Sequence, residues 1–153
     1  MSFECEIKEQ SARSTLCVRT RTSVEMLPVA IGRYAGEIAQ YLGEIGEQPE
    51  PVVYVAYYNM DMANLDVEIG FPMAKELPGK GEIKPGKIPG GKAGTCMYFG
   101  PYQEMPPAYE ALTKLVAEKG LEPTGVSYEF YYNSPMDVPP EKLQTLIMFP
   151  LKS

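Results

Sequence analysis

Glu129 is the one residue whose type and placement suggest chemistry. It lies in Val126-Ser127-Tyr128-Glu129-Phe130-Tyr131-Tyr132-Asn133. The stretch alternates as a strand does, so Glu129, Ser127 and Tyr131 share one side. Val126, Tyr128, Phe130 and Tyr132 share the other; being bulky and mostly apolar, they are expected to be the helix-covered face. An earlier stretch, Val52 to Asn59, superposes without a gap: Tyr54 on Tyr128, Tyr57 on Tyr131, Tyr58 on Tyr132 and Asn59 on Asn133. The position of Glu129 is filled there by Val55. The repeated framework therefore does not need the acid. A carboxylate among phenols can serve two ends. It can meet a cation that also stacks on the rings. Desolvated, with a raised pKa, it can act as a general acid or base.

Other chemistries are excluded or unsupported. The chain has no histidine, which rules out Ser-His and Cys-His triads within it. Its three cysteines, Cys5, Cys17 and Cys96, form no CxxC pair, so neither a disulfide framework nor a metal site is expected, and no cofactor is called for. A net charge of −6 argues against general nucleic-acid binding. No apolar run approaches the ~20 residues of a membrane helix and no signal peptide is evident, so the cytoplasm is the expected compartment. Arg19 and Arg21 are expected to be solvated strand residues rather than an anion site.

The elements that would position Glu129 can be read along the chain. The 153 residues, 44% hydrophobic, suffice for one compact domain or two small fused halves. Phe3 to Arg21 reads as two short strands or one kinked strand. Leu27, Ile31, Tyr34, Ile38, Tyr41, Leu42 and Ile45 recur at helical spacing, with Pro28 at the start and Gly46 at the end. Val52 to Tyr58 is a strand, and Leu65 to Met73 its antiparallel partner. The Gly-, Pro- and Lys-rich segment 74–94 is a loop holding a short strand near Ile83 to Ile88. It lacks the spacing of a phosphate-binding loop. A strand follows at Gly94 to Phe99. A second helix runs from Pro106 to Gly120, and Val126 to Asn133 and Leu143 to Leu151 are the last strands.

The halves repeat each other. Glu6-Ile7-Lys8 recurs as Glu82-Ile83-Lys84. Glu25-Met26-Leu27-Pro28 recurs as Glu104-Met105-Pro106-Pro107, and Phe71-Pro72 as Phe149-Pro150. The expected fold is α+β: a duplicated β-α-β-β unit, with repeat one about 1–75 and repeat two about 80–153. A pseudo-two-fold axis would give one curved antiparallel sheet with both helices outside and a groove between the halves. Glu129 and Tyr131 would line that groove from one half and Tyr57 from the other. Alternation sets Glu68 opposite in phase to Val67 and Ile69. Glu68 is then expected on the side corresponding to Glu129, either as a second acid so that each half supplies one, or as a solvent-exposed strand residue.

Gly100-Pro101-Tyr102, the helix from Glu104 to Gly120, Tyr128-Glu129-Phe130-Tyr131-Tyr132-Asn133-Ser134-Pro135 and the segment from Pro139 to Pro150 resemble the GyrI-like small-molecule-binding family. This is the effector-binding domain of some AraC- and MerR-type regulators, and the resemblance covers essentially the whole chain. It implies a small amphipathic or cationic organic ligand held by an acid at Glu129, with Tyr131, Tyr57 and Tyr98 as aromatic neighbours. It also implies two other roles found among stand-alone members: hydrolysis of cyclopropane-bearing toxins, with Glu129 and Tyr131 as catalytic groups, and inhibition of gyrase or service to a regulator as a protein partner. No DNA-binding segment precedes the first strand, so direct nucleic-acid binding is not expected. The ligand-binding module is the leading reading.

Overall fold

In the computed structural model, which describes residues 3–152, the strand and helix patterns are realised with small shifts at their ends. The elements are β1 (Glu4–Gln10), β2 (Arg13–Thr22), α1 (Leu27–Glu44), β3 (Val53–Tyr57), β4 (Leu65–Pro72), β5 (Lys84–Ile88), β6 (Gly91–Phe99), α2 (Pro106–Glu118), β7 (Ser127–Tyr131) and β8 (Gln144–Pro150). Every strand pairing described is antiparallel. The expected α+β duplication is therefore what the chain forms.

Both helices start and stop as their sequences dictate. Pro28 and the pair Pro106-Pro107 occupy first turns, where a missing N–H is harmless. Both end on a glycine with positive φ, Gly46 at 72° and Gly120 at 69°. The following residues close Schellman-type bonds, Glu47 N–H to the Leu42 carbonyl and Leu121 N–H to the Val116 carbonyl. Within α1, Tyr34, Ile38, Tyr41 and Leu42 are buried.

The chain forms two compact units. One is Ala12–Pro89. Its strands run in the order β3-β4-β2-β5, and α1 packs on β4 and β2. The other unit joins residues 3–11 to 90–152. Its order is β1-β6-β8-β7, and α2 packs on β6 and β1. This partition differs from the halves read in the sequence. β1 pairs with β6 (Glu6 opposite Thr95), and β5 pairs with β2 (Thr15 opposite Gly86). Each repeat's first strand thus pairs with the other repeat's second strand. The matching Glu-Ile-Lys triplets mark β1 and β5 as equivalent, but equivalence does not say which neighbour each one takes.

The register is duplicated along with the sequence. Val18, Ile69 and Val55 form one cross-strand row. Cys96, Ile147 and Glu129 form the matching row. Segment 74–83 is tied to the end of α1: Lys75 pairs with Glu47 at 2.9 Å, Lys80 with Glu44 at 3.1 Å, and the Tyr41 hydroxyl donates to the Pro78 carbonyl at 2.7 Å.

Candidate functional site

The second row leads to the site. α2 buries Met105, Ala108, Leu112 and Val116 against Cys96, Tyr98, Ile147, Phe149 and Leu151. Directly opposed antiparallel residues share a face, so Glu129, opposite Ile147, points to the α2 side. Tyr109 of α2 packs beside the same core, and its hydroxyl donates to Glu129 Oε2. The Tyr131 hydroxyl donates to Glu129 Oε1 at 2.6 Å. Tyr102, in a short 3₁₀ turn at Tyr102–Glu104, meets the Tyr131 ring edge-on at 5.8 Å. Burial pushes the Tyr102 phenol up, and the charge of Glu129 adds to it. The result is a half-buried carboxylate held by two phenol donors and framed by three rings.

This corrects the expected facing of β7. The helix covers the Glu129 set, not the Tyr128 set. Tyr128 and Phe130 are buried all the same, their rings stacked at 6.1 Å. A strand buried on both faces shows its alternation in sequence, but not which face the helix takes. Tyr132, expected in the core, is 43% exposed.

Tyr98 lies in the same row as Tyr131, with Thr145 between them. Its ring is buried in the α2 core and its hydroxyl donates to the Pro101 carbonyl at 2.6 Å. Burial, then the charge of Glu104, pushes the Tyr98 phenol up. Thr145 Oγ1 is buried and, among the described residues, has no hydrogen-bond partner. An unmet buried hydroxyl costs roughly 1–3 kcal/mol, and this one lies beside Tyr131. Tyr109, Tyr102 and Thr145 were not singled out as site residues in the sequence, although Gly100-Pro101-Tyr102 marks one of them.

Tyr57 and Glu68 belong to the unit Ala12–Pro89 and lie on opposite faces of it. Tyr57 opposes Val67, while Glu68 opposes Ala56. Glu68 was expected on the side corresponding to Glu129, and that is corrected. Its repeat match, Leu146, opposes Phe130 on the face away from Glu129. Glu68 is 9% exposed and accepts from Tyr54 at 2.6 Å and from Tyr58 at 3.1 Å. The Tyr54 hydroxyl also bonds Thr15 at 3.0 Å. Burial first, then the charge of Glu68, pushes the Tyr54 phenol far above its ordinary range. Each unit therefore builds one glutamate bonded by two tyrosines, on non-equivalent faces.

Arg19 and Arg21 of β2 are committed to Asp66. Arg19 grips it at 2.6 and 2.8 Å while stacking on Tyr58 at 3.6 Å, and Arg21 approaches at 3.7 Å. The bond from Arg19 holds the Asp66 carboxyl below its usual range. A depressed folded-state pKa stabilises above the unfolded value near ~3.9 and stops doing so as pH falls through the folded one. Asp66→Asn should lower the stability at pH 7, by less than about 1 kcal/mol because Arg19 is largely exposed. The deficit should shrink as pH falls below the unfolded value and vanish once the folded-state carboxyl is protonated too; a deficit unchanged by acid would rule out the ion pair as its source.

Two open depressions, of about 590 and 330 Å³, lie in the Ala12–Pro89 unit, one against Leu77, Pro78 and Pro85 and the other against Tyr41 and Lys80. Neither touches Glu129. Among the described residues, no group of His, Cys, Asp and Glu side chains could hold a metal ion, and no helix is long and apolar enough to cross a membrane.

The chain belongs to the family of GyrI-like small-molecule-binding domains, whose model matches residues 3–152. Its fold is that of the EcmrR C-terminal domain: TM-score 0.79, 21% identity, covering 100% of this chain and 99% of that one. In a complex of EcmrR with DNA, the match covers 58% of the EcmrR chain. A hydrolase from Listeria innocua is similar at TM-score 0.67 and 16% identity, over 97% of this chain and 91% of that one. SAV2435, bound to tetraphenylphosphonium, is similar at TM-score 0.62 and 8% identity, over 100% and 95%. No curated protein matches the chain.

Proposed function

We propose that the chain binds amphipathic organic cations at Glu129. The observation that carries this reading is the carboxylate held by Tyr109 and Tyr131 among aromatic rings. Phenol donors fix the carboxylate without neutralising it. A cation seated there gains both the charge of Glu129 and the ring faces, worth up to about 2 kcal/mol per cation–π contact once desolvated. Tyr102 and Tyr131 present those faces; Tyr98 supports them from the core. Membership of a small-molecule-binding family is consistent with this, and tetraphenylphosphonium on SAV2435 suggests a probe.

Calorimetric titration of tetraphenylphosphonium against neutral triphenylphosphine oxide tests the reading. The cation should bind more tightly by tenfold or more, and equal affinities would sink the proposal. The same mixtures, followed over hours by mass spectrometry with strained cyclopropane-bearing electrophiles added, address the alternative. The 2.6 Å bond from Tyr131 to Glu129 is a path for a proton, and hydrolysis that Glu129→Ala abolishes would make this site an enzyme's.

A further inference from the structure

The three cysteines are not equivalent. Cys17 is buried in β2, its thiol donating to the Lys84 carbonyl at 3.5 Å. Cys5 and Cys96 are opposite each other across the β1–β6 pairing. Cys96 is fully buried in the α2 core, while Cys5 is only half-buried at its edge. Both are free thiols. Burial, then the hydrogen-bonded Cys5 thiol, pushes Cys96 up to about 12.

We propose that Cys5 and Cys96 are a redox-modification site that closes to a cross-strand disulfide when the protein meets a small-molecule disulfide. Opposed residues of an antiparallel pair have Cα atoms roughly 4.5 or 5.5 Å apart, inside the ~4.4–6.8 Å span of disulfides. Their Cβ atoms, roughly 4.5–5.5 Å apart, must draw together slightly, and a bridge under such strain is readily reduced again.

The chemistry balances in two exchanges. The Cys5 thiolate, the more accessible sulfur, attacks one sulfur of oxidised glutathione and expels one glutathione thiolate. The Cys96 sulfur, giving up its proton as it attacks, then bonds to the Cys5 sulfur of the mixed disulfide and expels the second. Two protein thiols are oxidised by two electrons, one glutathione disulfide is reduced to two thiols, and the two protons end on them. Reversible bridges of this kind are the usual form of disulfide in a reducing compartment.

The location gives the bridge a consequence. β1 is the outer strand of its unit and reaches that unit from ahead of Ala12–Pro89. A bond from Cys5 to Cys96 closes a covalent ring around that whole stretch and staples β1 to β6. Cys96 also heads the row that runs through Ile147 to Glu129, beneath α2.

The test uses the full chain, reduced and then incubated with oxidised glutathione. The wild type should lose the mass of two hydrogens, keep one titratable thiol and yield a peptide linking residues 5 and 96. Its melting temperature should rise and fall back on reduction, because the ring restricts the unfolded chain. Cys96→Ser should stop as a glutathione adduct on Cys5, Cys5→Ser should form no bridge, and Cys17→Ser should behave as wild type. Retention of all three thiols, an unresolved adduct on Cys5 in the wild type, or a bridge that uses Cys17 or joins two chains would each overturn the proposal.

Discussion

Gly70→Ala should destabilise the protein by about 3 kcal/mol, while Gly36→Ala should stabilise it by roughly 0.5–1 kcal/mol. Neither glycine is chosen for its φ. Gly70 sits in β4 between Tyr54 of β3 and Cys17 of β2. The Tyr54 hydroxyl bonds Thr15, which lies on β2, so the side chain must cross β4, and it crosses at Gly70. A Cβ there would stand 2.3 Å from the Leu16 carbonyl oxygen and 2.7 Å from Cys17 Cβ. Those are backbone and stiff atoms, so the strands must part. Overpacking of this kind costs roughly 1–3 kcal/mol. Parting β4 from β2 also pulls on the Tyr54 hydroxyl, which bonds Glu68 on one strand and Thr15 on the other.

Gly36 lies inside α1 with nothing within 4 Å of its Cβ position, so alanine adds helix propensity and meets no obstacle. Urea denaturation of both variants measures the pair. A Gly70→Ala protein as stable as wild type would mean that the crossing of Tyr54 over β4 is not what holds this face together.

The repeat explains how much could be read from the sequence. Matching Tyr54, Tyr57, Tyr58 and Asn59 to Tyr128, Tyr131, Tyr132 and Asn133 anticipated two strands in equivalent places. The structure extends this to equivalent rows, Val18–Ile69–Val55 and Cys96–Ile147–Glu129. Pro28, Gly46, Pro106 and Gly120 bounded the helices because capping is local. What stayed hidden is non-local. Alternation along β7 separates Glu129 from Phe130, but it takes Tyr109, twenty residues earlier on α2, to show which face the helix covers. Glu68 was placed by alternation within its own strand, and only the pairing of its match Leu146 with Phe130 sets it on the other face. The exchange of β1 and β5 left no local mark either, because a strand's sequence records its burial but not its neighbour.

Glu129→Gln should lower the affinity for tetraphenylphosphonium by roughly 10- to 100-fold, about 1.4–2.8 kcal/mol, and leave triphenylphosphine oxide within about twofold. The substitution keeps the length of the side chain and removes the charge. It also disturbs the two hydrogen bonds. The carboxylate accepts from Tyr109 and Tyr131 on separate oxygens, whereas an amide offers one acceptor and one donor pair, so one phenol must turn its hydroxyl. That loosening acts on cation and neutral ligand alike; the lost charge acts on the cation alone. The ratio of the two affinities therefore isolates the electrostatic part. Tyr131→Phe supplies the complementary arm, since it keeps the ring and removes one donor: cation binding should weaken by less than in Glu129→Gln. A Glu129→Gln protein that still prefers the cation as strongly as wild type would move the counter-charge elsewhere, and Glu68, with its own two tyrosines, would be the next carboxylate to replace.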